Sequence, residues 1–369
     1  MIVLAGILFL VIYALIVYYI GRSGWSWMKP GLSRRFRLLY AAAFVFLASS
    51  FLLARVFEGS VILSVIGSYW LALFSLLVMI VPPVHLIVWL SKLTPLPRHR
   101  VHKWAGTLAL AALVLLLGFG SFNAFSPTVR SYQISIDKPG PESGKLSVVM
   151  ASDMHFSYLS GKSHAIRMVK EINALKPDLV LFPGDIIDDD IAPYRDKGIG
   201  DVLAQIEAPY GVYAALGNHD RFRGGMEELI ALLEESGMDV LYDETVEIGG
   251  WLTLIGRKDY SDGSRAELKE LMVGVSPENA VFLLEHQPVQ FDVAQHLGVD
   301  LVVSGHTHYG QIAPGNLITG MLFENDWGYL RKEQLHTIVS SGFGFWGPPL
   351  RIGSRSEIVH IEVDFAGSP

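Results

Sequence analysis

"LVVSGHTHYGQ" (residues 301–311) runs from an apolar stretch straight into His306 and His308, one residue apart. Four other stretches are built the same way. "VVMASDMH" (148–155) ends in Asp153 and His155, and "LVLFPGDIID" (179–188) in Asp185 and Asp188. "YAALGNHD" (213–220) ends in Asn218, His219 and Asp220, and "FLLEHQP" (282–288) carries His286. Each apolar run reads as a short buried strand. Helical spacing lies between them, as in "SHAIRMVKEINALKP" (163–177), with Ile166, Val169, Ile172 and Leu175 on one side, and in "GMEELIALLEESG" (225–237). Alternating strand and helix predicts an α/β domain, mixed or antiparallel where late strands follow one another without helices. In open α/β sheets the carboxyl ends of strands share an edge where ligands bind, so the five clusters can converge from distant parts of the chain.

The converging side chains are Asp, Asn and His. Imidazole with carboxylate suits manganese, iron, zinc, cobalt or nickel better than calcium or magnesium. There are too many ligands for one ion. A carboxylate such as Asp185 can bridge a pair, which activates a bridging water and clamps a phosphoryl oxygen for in-line displacement. Taken singly, an Asp-X-His or Gly-Asp is an ordinary turn; the ordered set, each member at a strand end, carries the reading.

The rest of the chain differs in kind. Of 369 residues 51% are hydrophobic, the formal net charge is −7, and there is no cysteine, which excludes disulfides, thiolate metal sites and a cysteine nucleophile. No basic stripe interleaves with aromatics, so nucleic acid is not an expected partner. Apolar segments at about 2–20, 38–57, 61–90 and 104–125 are each long enough to cross a bilayer as a helix. The first lacks a basic leader and a cleavage site and is read as retained. The third contains Pro82 and Pro83 and is read as one interrupted span, followed by His85, an ionisable residue inside a membrane segment and so a functional candidate. Arg22, Lys29, Arg34, Arg35 and Arg37 in the first loop and Lys92, Arg98, Arg100 and Lys103 in the third mark both as cytoplasmic, against Arg55 and Glu58 in the second. Both termini are then predicted outside the cytoplasm. The expected organisation is a membrane domain at 1–125, a linker or hairpin at 126–145 containing the turn signal "PGP", and a catalytic domain at 146–369.

The ordered set resembles the signature of the calcineurin-like metallophosphoesterase superfamily: Asp-X-His, Gly-Asp-X-X-Asp, Gly-Asn-His-Asp, a lone His, then Gly-His-X-His. "GHTHYGQ" and the tail "SGFGFWGPPLRIGSRSEIVHIEV" (341–363) are similar to its bacterial membrane-attached subgroup. The resemblance implies an α/β fold, a four-layer αββα sandwich, here preceded by four transmembrane helices. It implies two divalent ions, manganese first among the candidates. Asp153, His155, Asp185 and His308 would hold one, and Asp185, Asn218, His286 and His306 the other. His219 would face the phosphoryl group, with Asp188 orienting it; Asp189 and Asp190 are read as solvated. The implied function is a multi-pass, inner- or plasma-membrane phosphoesterase with an extracytoplasmic catalytic domain. Its substrate would be a phosphodiester, pyrophosphate or phosphomonoester, with a lipid-linked ester as one candidate, hydrolysed by a metal-bridging hydroxide. Tyr309 stands where the subgroup often has glycine, and Ser356 where proline is frequent. His164, Arg221, Arg223 and Arg351 are further candidates for contacting substrate. The alternative is a polytopic sensor or transporter component whose exported domain binds a phosphorylated ligand without turnover, with His85 at its centre.

Overall fold

The computed structural model of the chain describes residues 2–28, 33–57, 60–221 and 225–367; Lys29, Glu58 and Arg223, which entered the topology and anion readings, lie outside them. The chain divides into two compact units, residues 1–121 with 347–349, and residues 122–346 with 350–369.

The first unit contains helices α1 (Ile2–Met28), α2 (Arg34–Val56) and α3 (Val61–Leu90), and most of α4 (Arg98–Phe125). All four are long and apolar enough to cross a membrane. α3 has the expected bounds, while α1 runs past its expected end and α2 and α4 start before theirs, because polar and amphipathic stretches such as "RSGWSWM" continue the helix. α3 runs unbroken through Pro82 and Pro83 as a single span. Tyr13 of α1 is the hub of this unit. It donates to Ala48 O at 2.6 Å and accepts from Trp70 Nε1 at 2.7 Å, so Trp70 packs inside rather than at a bilayer interface. His85 Nδ1 lies 2.8 Å from Tyr19 Oη, a local partner that makes the ring part of helix packing.

The second unit is built on two six-stranded sheets. The first has the order β1 (Thr128–Pro139), β12 (Glu357–Gly367), β2 (Lys145–Met150), β3 (Leu179–Pro183), β4 (Val212–Ala215), β5 (Asp239–Val240). The second has the order β10 (Gly328–Lys332), β11 (Leu335–Val339), β9 (Leu301–Ser304), β8 (Ala280–Leu284), β7 (Leu252–Gly256), β6 (Glu244–Ile248). Side-chain alternation along each strand stacks them. Leu146, Val148 and Met150 of β2 and Leu179 and Leu181 of β3 share one buried cluster with Phe282, Leu284, Leu301 and Val303 of the second sheet. The intervening Val149, Val180 and Phe182 point the other way, under α5 (Lys162–Leu175), α6 (Ala192–Asp196), α7 (Gly200–Leu203) and α8 (Met226–Glu235). Val281, Leu283 and Val302 form the outer cluster of the second sheet with α9 (Leu268–Leu271) and α10 (Phe291–His296). The four layers are therefore helix, sheet, sheet, helix. One further helix, α11 (Gly315–Leu322), follows the His306–His308 stretch.

Three details differ from the sequence reading. Residues 126–145 are neither linker nor hairpin: β1 pairs in parallel with β12, which lies between β1 and β2. The turn at "PGP" therefore spans a strand that comes last in the chain, which local turn chemistry cannot reveal. The last turn of α4 belongs to this second unit: Ser356 donates its N–H to Asn123 O and its hydroxyl to Ala124 O, and Arg355 Nε donates to Ser126 O. Finally, α5 buries Ala165, Met168, Val169 and Ile172, while Ile166 is 52% exposed.

Phe282 is fully buried between the sheets. Phe282→Ala is expected to destabilise the second unit by about 3–5 kcal/mol, measured by denaturant unfolding of the detergent-solubilised chain.

Candidate metal centre

Strands β2, β3 and β4 are parallel, as are β8 and β9. Their carboxyl ends therefore deliver the five polar clusters to one place. The loop after β2 runs alongside the loop after β3: Asp153 donates its N–H to Gly184 O at 3.0 Å and His155 to Asp185 O at 3.1 Å. A bond between the sheets completes the arrangement, the His306 N–H donating to Asp153 Oδ1 at 2.9 Å. Gly305 permits this approach, since a Cβ there would lie 2.1 Å from Asp153 Oδ2. Gly217 does the same for Asp185, with a Cβ 2.1 Å from Oδ1.

All seven expected ligand residues come together. Ligand atoms of Asp153, His155 and His308 form one group within reach of a single ion, and those of Asp185, His286 and His306 form another. Asp185 faces both sides: its Oδ2 is 3.7 Å from His155 Nε2 and 3.1 Å from His286 Nε2. Asn218 Oδ1 lies 2.9 Å from His306 Nδ1. His155 Nε2 and His308 Nε2 face each other at 3.1 Å. Two imidazole nitrogens so placed cannot both carry hydrogen, but both can offer lone pairs to one cation.

The site is strained and buried. Asp153, His155, Asp185, His306 and His308 all have positive φ, between 44° and 71°. Non-glycine residues there cost about 1–3 kcal/mol each, and such strain clusters at functional sites. Asp153, His155, Asp185 and His286 are fully buried. Asp153 Oδ2 has no hydrogen-bond partner among the described residues, and His286 Nε2 has only the Asp185 carboxylate 3.1 Å away. Buried atoms of this kind, a carboxylate oxygen and an imidazole nitrogen, are the donor set that divalent transition metals prefer, so the residues fit a pair of such ions.

The buried carboxylates and imidazoles perturb one another throughout the site. Burial alone would raise the Asp185 pKa, but His286 and His155 hold it far below the usual carboxylate range. Burial pushes His306 down to about 4 and, with His155 and Arg351, pushes His308 well below its ordinary value. Both rings are pushed toward the neutral form that metal ligation requires, whereas burial is outweighed at His155 by Asp188 and at His286 by Asp185, which raise those two. Burial opposes charge on His219 too, but its hydrogen bond to Asp189 and the Asp185, Asp189 and Asp188 carboxylates raise it to about 9.

The expected partner of His219 is corrected by one residue. Asp189 Oδ1, not Asp188, is 2.9 Å from His219 Nδ1, while Asp188 Oδ1 lies 3.4 Å from His155 Nδ1. Positive φ at Asp189 turns its side chain back toward the site, which a run of three aspartates does not reveal. Arg351 is fully buried and not open to substrate. It donates to Gly344 O, and its Nη2 stands 3.1 Å from His308 Nδ1. His164 is likewise packed against Phe125 and Phe343. Arg221 remains near the mouth, its Nε 3.5 Å from Asp262 Oδ2. Tyr309 stacks on Trp327 at 4.6 Å. Asp220, part of the Gly-Asn-His-Asp motif but given no role by its sequence, accepts the Ile187 and Gly217 N–H groups and so ties the Gly-Asp and Gly-Asn-His loops together.

The calcineurin-like phosphoesterase family profile matches residues 146–310. A Danio rerio protein named transmembrane protein with metallophosphoesterase domain is 31% identical over 271 residues, 69% of this chain and 61% of that protein. An uncharacterised metallophosphoesterase of Aquifex aeolicus is 32% identical over 267 residues, 69% of this chain and 98% of that one. Another from Helicobacter pylori is 30% identical over 266 residues, 69% and 70% of the two chains. The match spans only 61% of the length of the two vertebrate relatives, from Danio rerio and Bos taurus.

Metal analysis of the purified chain is expected to find two divalent ions per molecule, lost on Asp185→Ala. Adding manganese after chelation should raise the thermal midpoint of the wild type and leave that of Asp185→Ala unchanged. Gly305→Ala, which forces a methyl group onto Asp153, should lower metal content without removing any ligand.

Proposed function

Because the chain belongs to the calcineurin-like metallophosphoesterase family, we propose that it is a membrane-anchored, divalent-metal-dependent hydrolase of phosphate esters. The proposed placement of its catalytic unit is outside the cytoplasm. The observation that carries the chemistry is Asp185, whose single oxygen faces a ligand histidine of each group at 3.7 and 3.1 Å. The placement rests on the basic first and third loops. Four potential spans exceed what tethering requires, which favours a lipid-linked monoester, diester or pyrophosphate as substrate.

In this reading Asp153, His155, Asp185 and His308 would hold one ion, and Asp185, Asn218, His286 and His306 the other. Two bound divalent ions, with manganese as first choice, supply Lewis-acid polarisation of the phosphoryl oxygens and an acidified water. The chain's own residues do the rest. Asp185 is kept ionised, and its Oδ1 is fixed by the His219 N–H at 2.8 Å. Asp189 anchors His219 Nδ1, which leaves Nε2 to face the phosphoryl group. A ring whose proton is favoured by its hydrogen bond to Asp189 is suited to stabilise the transferring group and to protonate the leaving oxygen. No side-chain nucleophile is needed. Asp188, beside His155, orients that ligand.

The test is turnover of chromogenic phosphomonoesters and phosphodiesters by the detergent-purified chain with manganese. His219→Ala should lose about 10²–10⁴-fold in rate while keeping its metal, the usual worth of a general acid. Asp189→Asn should lose less and shift the pH profile; Asp188→Asn should change metal content more than the pH profile. A wild type with no turnover under any of the five candidate metals would leave the binding-only alternative standing. For topology, a reporter fused after Pro369 should be active only outside the cytoplasm; activity only inside would overturn the placement.

A further inference from the structure

α11 is amphipathic the wrong way round for a surface helix. Leu317, Ile318, Met321 and Leu322 are 60%, 60%, 84% and 71% exposed, and none of its side chains is buried. At 100° per residue these four share one face. The opposite face is small and polar and turns inward: Thr319 Oγ1 donates to Asp326 Oδ2 at 2.7 Å, and a Cβ on Gly320 would sit 3.6 Å from that same oxygen. The helix is also firmly seated. A Cβ on Gly310 would lie 2.1 Å from Asn316 N, and one on Gly315 2.4 Å from Gly310 O, so the two backbones touch. Such seating keeps the apolar face outward by construction. A continuous apolar face of this kind marks an interaction site.

Its surroundings indicate what covers it. α11 begins seven residues after His308, and Phe323 at its end contacts the His306 ring with centroids 6.0 Å apart. The side-chain amide of Gln311, just before the helix, holds the backbone of exposed Trp346, Nε2 donating to its O and Oε1 accepting its N–H, both at 2.9 Å. Trp346 in turn lies 5.6 Å from the His219 ring. The neighbouring Phe345 packs on Phe125, the last residue of the fourth potential membrane span, at 5.1 Å. A connected series of contacts thus leads from the point where the chain leaves that span, through Trp346, to α11 and the metal ligands. The bilayer is an apolar partner that the four potential spans would keep next to the rest of the chain.

We propose that α11 is a membrane-interface helix that lays Leu317, Ile318, Met321 and Leu322 into the lipid, so that phosphate esters resident in the bilayer are admitted to the His306–His308 side of the metal centre. Short helices with an apolar outer face bind the headgroup–acyl boundary in this way. The docking stands by itself; the substrate class it selects rests on the phosphoesterase reading.

The chain has no cysteine, so Met321→Cys supplies a single thiol for a fluorescent label. The full chain would be reconstituted into phosphatidylcholine vesicles, with Glu235→Cys on α8 as control. The label on residue 321 should be quenched by doxyl-labelled lipid and shielded from aqueous iodide, and the control the reverse. A label at 321 open to iodide and untouched by doxyl lipid would overturn the docking. Self-quenching between labelled copies without lipid quenching would overturn it in favour of a second copy of the chain. In a second arm, Leu317, Ile318, Met321 and Leu322 are all changed to Ser. Hydrolysis of a phosphate ester embedded in the vesicle should fall about tenfold or more, the worth of losing one apolar burial, with a soluble chromogenic ester hydrolysed as before. Equal loss on both substrates would overturn the selection. If the wild type hydrolyses neither ester, the phosphoesterase reading and the selection built on it fail, and the quenching result still decides the docking.

Discussion

The ligand edge of the second unit is registered by a hydrogen bond between its two sheets, the His306 N–H to Asp153 Oδ1 at 2.9 Å, with His286 Nδ1 near Pro183 O and the Lys138–Asp300 ion pair as further links. Apolar packing brings the sheets face to face but leaves them free to slide, because burial has no direction. The bond between loops at the ends of β2 and β9 fixes that register at the edge where it matters. It holds only because Gly305 has no side chain to push Asp153 away. Once the two edges are locked, the ligands delivered by the first sheet face those delivered by the second, and Asp185 stands between them.

That convergence is costly. Five residues sit in the left-handed backbone region, and ionisable groups are buried with unpaired atoms. Strain and desolvation together would favour opening the loops. They are restrained by bonds outside the ligand set: Asp220 ties two loops, Arg351 braces the segment behind His308, and His286 Nδ1 lies 2.9 Å from Pro183 O. The stability resides in the surrounding sheets, which lets the site itself be poorly satisfied by protein alone.

Much of this was legible in the sequence. Short continuous apolar runs leading into Asp, Asn or His mark the strands and the candidate site, because a strand's last buried residue fixes where its loop begins. The four potential spans are equally plain from length and polarity. What escaped the sequence is non-local. The pairing of β1 with the last strand joins residues more than two hundred positions apart, and no turn signal encodes it. The choice of Asp189 over Asp188 depends on one backbone angle. Arg351 looks like an anion-binding residue by type, and only its complete burial shows that it faces carbonyls and a histidine.

The interleaving of β1, β12 and the last turn of α4 bears on how the second unit can be isolated. A fragment beginning at residue 146 would retain every expected metal ligand, yet it would strip β1 from β12 and leave a long, apolar strand with an open edge, a template for aggregation. Starting at residue 128 would restore that edge but remove the carbonyl partners of Ser356 and Arg355, which hold the segment carrying Arg351. The compact second unit begins in what hydropathy alone would assign to the membrane, at residue 122.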